Sequence, residues 1–329
     1  MNKEYLSLIS AIVLTTATAS TQAEIKNFDI SGLIETEIAF SNSDTNGDTS
    51  DIVVPTVELG IETTFSDQVS ASIVLLSEDI GSAEQTDVTV DQAIVNLALG
   101  KATVTVGQTY IPFGSFETGV ISDPLTLELA ETAETVIMYG REMESGLSYS
   151  VYAFNGDVEL ATEDEINDFG FNIAVVQDNW SVGIAYISNI ADANTISDGR
   201  TGNANTDDVA GLNVVARISA GALSLYFEHV MALDKFRAGD FGGDITTDAE
   251  PAATHVEIGY ELDDRSAIAV SISSTDEAAE MGVPYENMSA IAYRRALYEN
   301  ASYAVEFLSA DEYGNNSDSI LTVQLAVEF

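Results

Sequence analysis

Apart from carboxylates, the side chains that most often carry chemistry are sparse in this sequence. His229 and His255 stand alone, cysteine is absent and no H-E-x-x-H run occurs, so the usual ligands of a zinc centre are missing. Asp44, Asn46 and Asp48 begin like a calcium loop, but Thr49 stands where that loop needs glycine, and Pro55 where it needs its bidentate glutamate. The G-x-S-x-G turn of a serine nucleophile is also absent. Paired carboxylates, the groups of general acid and base work, recur throughout a chain with 54 Asp and Glu, so they single out no glycosidase site. These residues predict neither an enzyme nor a cofactor or metal.

What remains is charge and its placement. The 54 acidic residues face 11 Lys and Arg, a net charge of −43, which excludes nucleic acid as a partner and a polybasic surface for anionic lipid.

The first 23 residues carry Lys3, an apolar run from Leu6 to Leu14 and a small-residue end at Thr21-Gln22-Ala23. This is the pattern of a cleaved secretory leader, leaving 24–329 as the mature domain. No later run is apolar enough for a membrane helix, although 46% of the residues are hydrophobic, so any membrane crossing rests on strands. Strand patterning is abundant. Phe28, Ile30, Ile34, Ile38 and Phe40 alternate with Asp29, Ser31, Glu35 and Glu37, and Val53, Val57, Leu59 and Ile61 alternate with Glu58 and Glu62.

Short and long links alternate along the whole chain. The turns at Ser66-Asp67, Gly100-Lys101 and Asp178-Asn179 are tight. Ser41–Ser50, Glu78–Asp87, Ile190–Asp208 and Leu233–Ala252 read as long polar or solvated links. The pattern predicts an all-β fold, a transmembrane up-and-down antiparallel β-barrel of about 16 strands, with tight turns on the periplasmic rim and long loops outside. Leu321, Val323, Leu325, Val327 and the terminal Phe329 share one face of the last strand, and such an ending resembles the signal read by the barrel-assembly machinery.

One stretch, Gly107 to Glu134, interrupts the pattern. Pro112 and Pro124 forbid ladder donation, Phe113-Gly114 and Asp123-Pro124 read as bends, and Glu117, Asp123, Glu128, Glu131 and Glu134 recur through it. It is the third external link and reads as the longest. With Phe113, Phe116, Val120, Leu125 and Leu129 it is too apolar for bulk water and must pack against something. The pattern resembles general porins, whose third loop folds inward and narrows the channel, and that resemblance implies the same constriction here. On the walls, Glu35, Glu37, Glu58, Glu62, Glu257, Glu261 and Glu306 have lumenal parity, opposed by Arg217 and Arg294, and by Arg141 if Val136 and Met138 face lipid.

GQTYIPFG at 107–114 and FETGVISDPLTLELAET at 116–132 resemble the signature segment of the LbtU-type siderophore porins. The resemblance implies a sixteen-stranded, plug-less outer-membrane barrel taking up ferric siderophore, with outer-membrane lipid around it and an inward third loop. The sequence leaves open a general cation-preferring diffusion porin, another small solute, and a non-conducting structural or adhesive barrel. Monomer and oligomer both fit.

Overall fold

The computed structural model describes residues 26–160, 165–198, 200, 204–205, 207–314 and 316–329. The leader expected over 1–23 lies outside them. Sixteen antiparallel strands close into a barrel in which sequence neighbours are spatial neighbours and the last strand returns to the first. The strands are β1 (Asn27–Ser43), β2 (Gly47–Ser66), β3 (Val69–Ile80), β4 (Thr89–Leu99), β5 (Ala102–Tyr110), β6 (Ala133–Glu142), β7 (Leu147–Phe154) and β8 (Asp168–Gln177), followed by β9 (Trp180–Ile187), β10 (Gly211–Ala220), β11 (Leu223–Ala232), β12 (Ala252–Asp263), β13 (Ser266–Asp276), β14 (Asn287–Tyr298), β15 (Ala301–Asp311) and β16 (Ser317–Glu328).

Hydrocarbon offers the backbone no hydrogen bonds, so a strand wall crosses it only when closed on itself. The seam between β16 and β1 runs from Leu33–Glu328 to Ser43–Asp318. Phe329 extends it, donating its amide to the Gly32 carbonyl at 3.0 Å and accepting from the Gly32 amide at 2.8 Å. The outward columns hold the apolar residues of the alternation, among them Phe28, Ile30, Ile184, Ile258, Ile291 and Phe307, all exposed.

The buried apolar core lies inside the barrel. It joins Phe113, Val120, Leu125 and Leu129 from the third external loop to Ile190, Ile196, Phe236, Phe241, Ile245 and Met281 from later loops, against wall residues of β6–β15 such as Val136, Phe154, Ile187, Val230 and Met288. No described residue of β1–β5 belongs to it. Each fully buried Phe, Leu or Ile contributes about 1.5–3 kcal/mol, which offsets the cost of ordering these loops, about 1–2 kcal/mol per residue.

Three sequence expectations change. Ser41–Ser50 is not a polar link, because β1 and β2 continue as paired strands to a turn at Asp44–Asn46, with Ser43 opposite Gly47. Polar residues sustain a ladder there because backbone groups carry the pairing. Within the connection 188–210 the stretch 190–196 is not solvated, since Ile190, Ala191, Ala193 and Ile196 are fully buried. Its few apolar side chains, hidden among Asn, Asp and Thr, are the ones that pack. The connection is also slightly longer than 111–132, so the third external loop is not the longest.

Candidate functional site

The third external loop, 111–132, enters the bore because the wall offers carboxylates at the spacing of the loop's own amides. Glu228 on β11 accepts from Ser115 N at 2.9 Å and Phe116 N at 3.0 Å. Glu257 on β12 accepts from Gly119 N at 2.9 Å and Thr118 Oγ1 at 2.8 Å. Glu306 on β15 accepts from Ser122 N at 3.1 Å, and also from Ile121 N and Ser122 Oγ. The anchored pairs step along the loop three residues at a time. A loop without secondary structure carries bare N–H groups, and charge-assisted bonds to carboxylates satisfy them away from bulk water. Glu228, fully buried, also accepts from Thr126 Oγ1 at 3.2 Å, Asn213 Nδ2 at 2.9 Å and Tyr226 OH at 3.0 Å.

Packing completes the attachment. The Phe113 ring lies on Gly211, where an added Cβ would stand 2.7 Å from the ring, so β10 begins with a residue that lets the loop approach its backbone. Phe116, at φ 52°, folds its ring over Gly114, where a Cβ would stand 2.0 Å from it. Helix α1 (Leu125–Ala130) follows Pro124, which cannot continue a strand ladder and whose φ of −70° suits a helix start. It buries Leu125, Leu129 and Ala130 against β11–β13. A second short helix, α2 (Asn194–Ser197), supports it. Asn194 N donates to the Glu131 carbonyl at 2.8 Å, and Thr195 Oγ1 donates to Glu128 Oε2 at 2.8 Å.

The opposite side of the loop faces β1–β5 with acid. Asp123 is open to bore water but enclosed by protein on its other sides, and burial pushes its carboxyl up to about 6, helped by the charges of Glu128, Glu35, Glu306 and Glu78. Burial likewise pushes Glu131 up to about 7, with Asp123, Asp91, Glu128 and Glu78 adding to it. The charges that act on both groups are all carboxylates. Tyr110 OH donates to Asp91 Oδ1 at 2.8 Å, fixing that acid on the wall. The loop thus brings Asp123, Glu128 and Glu131 near the wall carboxylates of β1, β3 and β4, and all of these groups carry the same sign of charge when ionised.

The remaining expected residues fall elsewhere. Glu117 pairs with Arg217 at 2.7 Å, and Arg294 Nη2 donates to the Val120 carbonyl at 3.4 Å, both on the periplasmic side of the loop. Pro112, half-buried, lies where the chain leaves β5. Glu134 is buried in β6, away from that acidic cluster. Glu62 lines a concavity with Thr64, Asn96 and Thr103 near the short turns, and Glu58 shares its column. Arg141 does not share the lumenal parity of Arg217. Val136 is buried in the core, Met138 packs on it and Ile137 is exposed, so Arg141 falls in the outward column near the periplasmic rim.

Sequence reasoning missed Glu228. Its signal was its place in the inward column of β11 between Tyr226 and Val230, where a lone acid among buried residues needs donors from outside its own strand. Neither histidine joins a ligand set: His255 Nδ1 lies 2.7 Å from Ser273 Oγ and His229 Nδ1 2.8 Å from Thr254 Oγ1. No group of three or more His, Asp or Glu placed to hold a metal occurs among the described residues.

A closed sixteen-strand barrel with an inward loop across its bore is the architecture of an outer-membrane porin. The profile of the family described as phosphate-selective porin O and P matches residues 32–220, and the chain belongs to that family. It is 25% identical over 323 residues to a UPF0422 protein of Legionella pneumophila strain Philadelphia 1, which aligns with 87% of this chain, while the chain spans 59% of that relative's length. A UPF0422 protein of Coxiella burnetii is 25% identical over 243 residues, covering 69% of this chain and 51% of the relative. Among solved structures the fold is similar to the outer membrane channel DcaP of Acinetobacter baumannii, at TM-score 0.69 and 13% identity, covering 95% of this chain and 100% of that one. It is also similar to the anion-selective porin from Comamonas acidovorans, at TM-score 0.70 and 14% identity, covering 92% and 99%.

Proposed function

We propose that this chain is a passive outer-membrane diffusion channel that favours cations and neutral solutes over anions. The observation that carries the reading is the acidic cluster at the loop, where Asp123, Glu128 and Glu131 lie near Glu35, Glu78 and Asp91 on the wall, and where burial and neighbouring carboxylates both raise the Asp123 and Glu131 carboxyls. Phosphate entering such a cluster meets like charge in a narrow, partly dehydrated passage, where Coulomb repulsion exceeds its value in water severalfold. The selectivity printed in the family's description and in the name of the Comamonas protein is therefore not carried over to this chain. Reversal potentials across planar bilayers in a KCl gradient test the reading. The expected sign is that of a cation-permeable pore, and an anion-selective potential overturns it.

A more specific solute is favoured by one observation. The segment 107–132, which resembles the siderophore porins, is the same segment that forms the inward loop and contributes Asp123, Glu128 and Glu131 to the cluster. Uptake of a ferric siderophore is the second reading, restricted by the cluster to complexes that are neutral or positive. Radio-iron uptake from a neutral hydroxamate complex is expected to fall in a gene-deletion strain, and undiminished uptake removes this reading.

A further inference from the structure

The bore has a second chemical character on the periplasmic side of the loop. A cavity of about 410 Å³ lies there, roofed by Thr118 and Gly119 of the loop and walled by β10–β14. Five charged side chains line it: Glu117, Arg217, Glu257, Glu261 and Arg294. In a chain with only 11 Lys and Arg, two of them meet here.

Three of the five charges are already used. Glu117 and Arg217 neutralise each other at 2.7 Å, and Glu257 holds the loop through Gly119 N at 2.9 Å and Thr118 Oγ1 at 2.8 Å. Glu261 and Arg294 remain. Among the described residues Glu261 makes no ion pair, and Arg294 makes none either, its Nη2 reaching only the Val120 carbonyl at 3.4 Å.

The register sets these two charges against each other. Glu261 on β12 lies opposite Ala267 on β13, and Ala267 lies opposite Arg294 on β14. The acid and the base thus stand in one row, two strand spacings apart, about 10 Å between their backbones. Between them in this row stands the methyl group of Ala267. Glu261, Ala267 and Arg294 all line the cavity, so the row brings opposite charges to its two ends.

We propose that this cavity is a binding subsite for zwitterionic solutes of amino-acid or dipeptide size, whose carboxylate meets Arg294 and whose ammonium meets Glu261. Such a solute has no net charge, so the acidic cluster above does not repel it, whereas a monoanion is excluded there. The subsite rests on the channel reading for its access but not for its chemistry.

Block of the single-channel K⁺ current by peptide added from the short-turn side tests it, with L-alanyl-L-alanine compared with its N-acetyl and its C-amide derivatives. Exposed charge pairs of this kind give small energies, so half-block by the zwitterion is expected at a concentration at least about threefold lower than by either derivative. Arg294→Gln removes the preference over the amide, and Glu261→Gln removes the preference over the acetyl peptide. The double exchange Glu261→Arg with Arg294→Glu restores the zwitterion preference, because the solute reverses in the cavity. Heat-modifiable mobility on gels verifies that each variant is a folded barrel. Equal block by all three peptides, a preference that persists in both single variants, or failure of the exchange to restore it overturns the subsite. If the folded protein carries no K⁺ current, the channel reading fails instead, and calorimetric titration with the same three peptides decides the subsite by the same criteria.

Discussion

The two halves of this barrel wall solve different problems with the same strand alternation. Along β1–β5 both faces of the wall meet fluid, lipid outside and water within. β4, for example, contains no buried residue. Along β10–β15 the loop-facing stretches have every second residue covered, as in β11, where Tyr226, Glu228, Val230 and Ala232 are buried in succession. Both arcs are ordinary antiparallel ladders, and the difference is what the inner face meets. The loops fill one side of the bore with an apolar core and leave the other side unfilled. On the proposed reading, selectivity belongs to the unfilled side and stability to the filled side. The wall carboxylates show the same division: Glu228, Glu257 and Glu306 accept hydrogen bonds from the loop, whereas Glu35, Glu78 and Asp91 stand on β1, β3 and β4, the side that the apolar core leaves unfilled.

The largest expected effect comes from breaking the filled arc. Phe113→Ala empties the contact with Gly211 and should cost about 3–5 kcal/mol, as large-to-small changes in packed interiors do. The heat needed to unfold the barrel on gels should drop accordingly, while Ile94→Ala on β4, whose side chain is only half-buried, should cost far less. Equal losses at the two positions would remove the distinction between the arcs.

Next comes the attachment of the loop. Glu228→Ala strips five hydrogen bonds, two of them from loop amides, and leaves their donors without a partner, a cost of about 3 kcal/mol or more. The loop should loosen and single-channel conductance should rise with larger fluctuations. An unchanged conductance would mean that packing alone holds the loop.

The smallest effect sharpens the open arc. The Asp123 and Glu131 carboxyls are held up to about 6 and about 7, so both are largely ionised at pH 8 and take up protons as pH falls through 7 and then 6. Cation preference should therefore decline over that window, a range in which ordinary carboxylates near pKa 4 do not titrate. Asp123→Asn with Glu131→Gln should abolish the decline. Because these folded-state values are raised, the folded barrel binds protons more tightly than the unfolded chain, and the same two groups should make it more stable at pH 5 than at pH 8.

Much of the architecture was legible before any coordinates. Two-residue alternation, the sorting of short and long links, and the closing run to Phe329 require a wall apolar outside and polar inside, and such a wall closes only as a barrel. That 111–132 leaves the strand pattern and packs against something was legible from its prolines and its excess of apolar residues, and the inward direction came from its resemblance to porins. Glu228 was not legible, because a carboxylate on an inward column looks the same whether it faces water or a loop amide 112 residues away in sequence. The burial of Ile190 and Ile196 was hidden for a similar reason, since a few apolar residues in a polar stretch announce packing only when another loop is there to receive them. Arg141 was given lumenal parity on the condition that Val136 and Met138 face lipid, and that condition fails because Val136 is buried in the core and Met138 packs on it.

By itself the sequence determined the strand periodicity, the acidity of the chain and the residues available to the constriction, because these follow from local patterning and composition. The tertiary structure alone decided which carboxylates hold the loop, which side of the bore the apolar core fills, and that Glu261 and Arg294 stand in one row across Ala267. Those outcomes depend on register between strands and on contacts between distant loops, and no local rule encodes either.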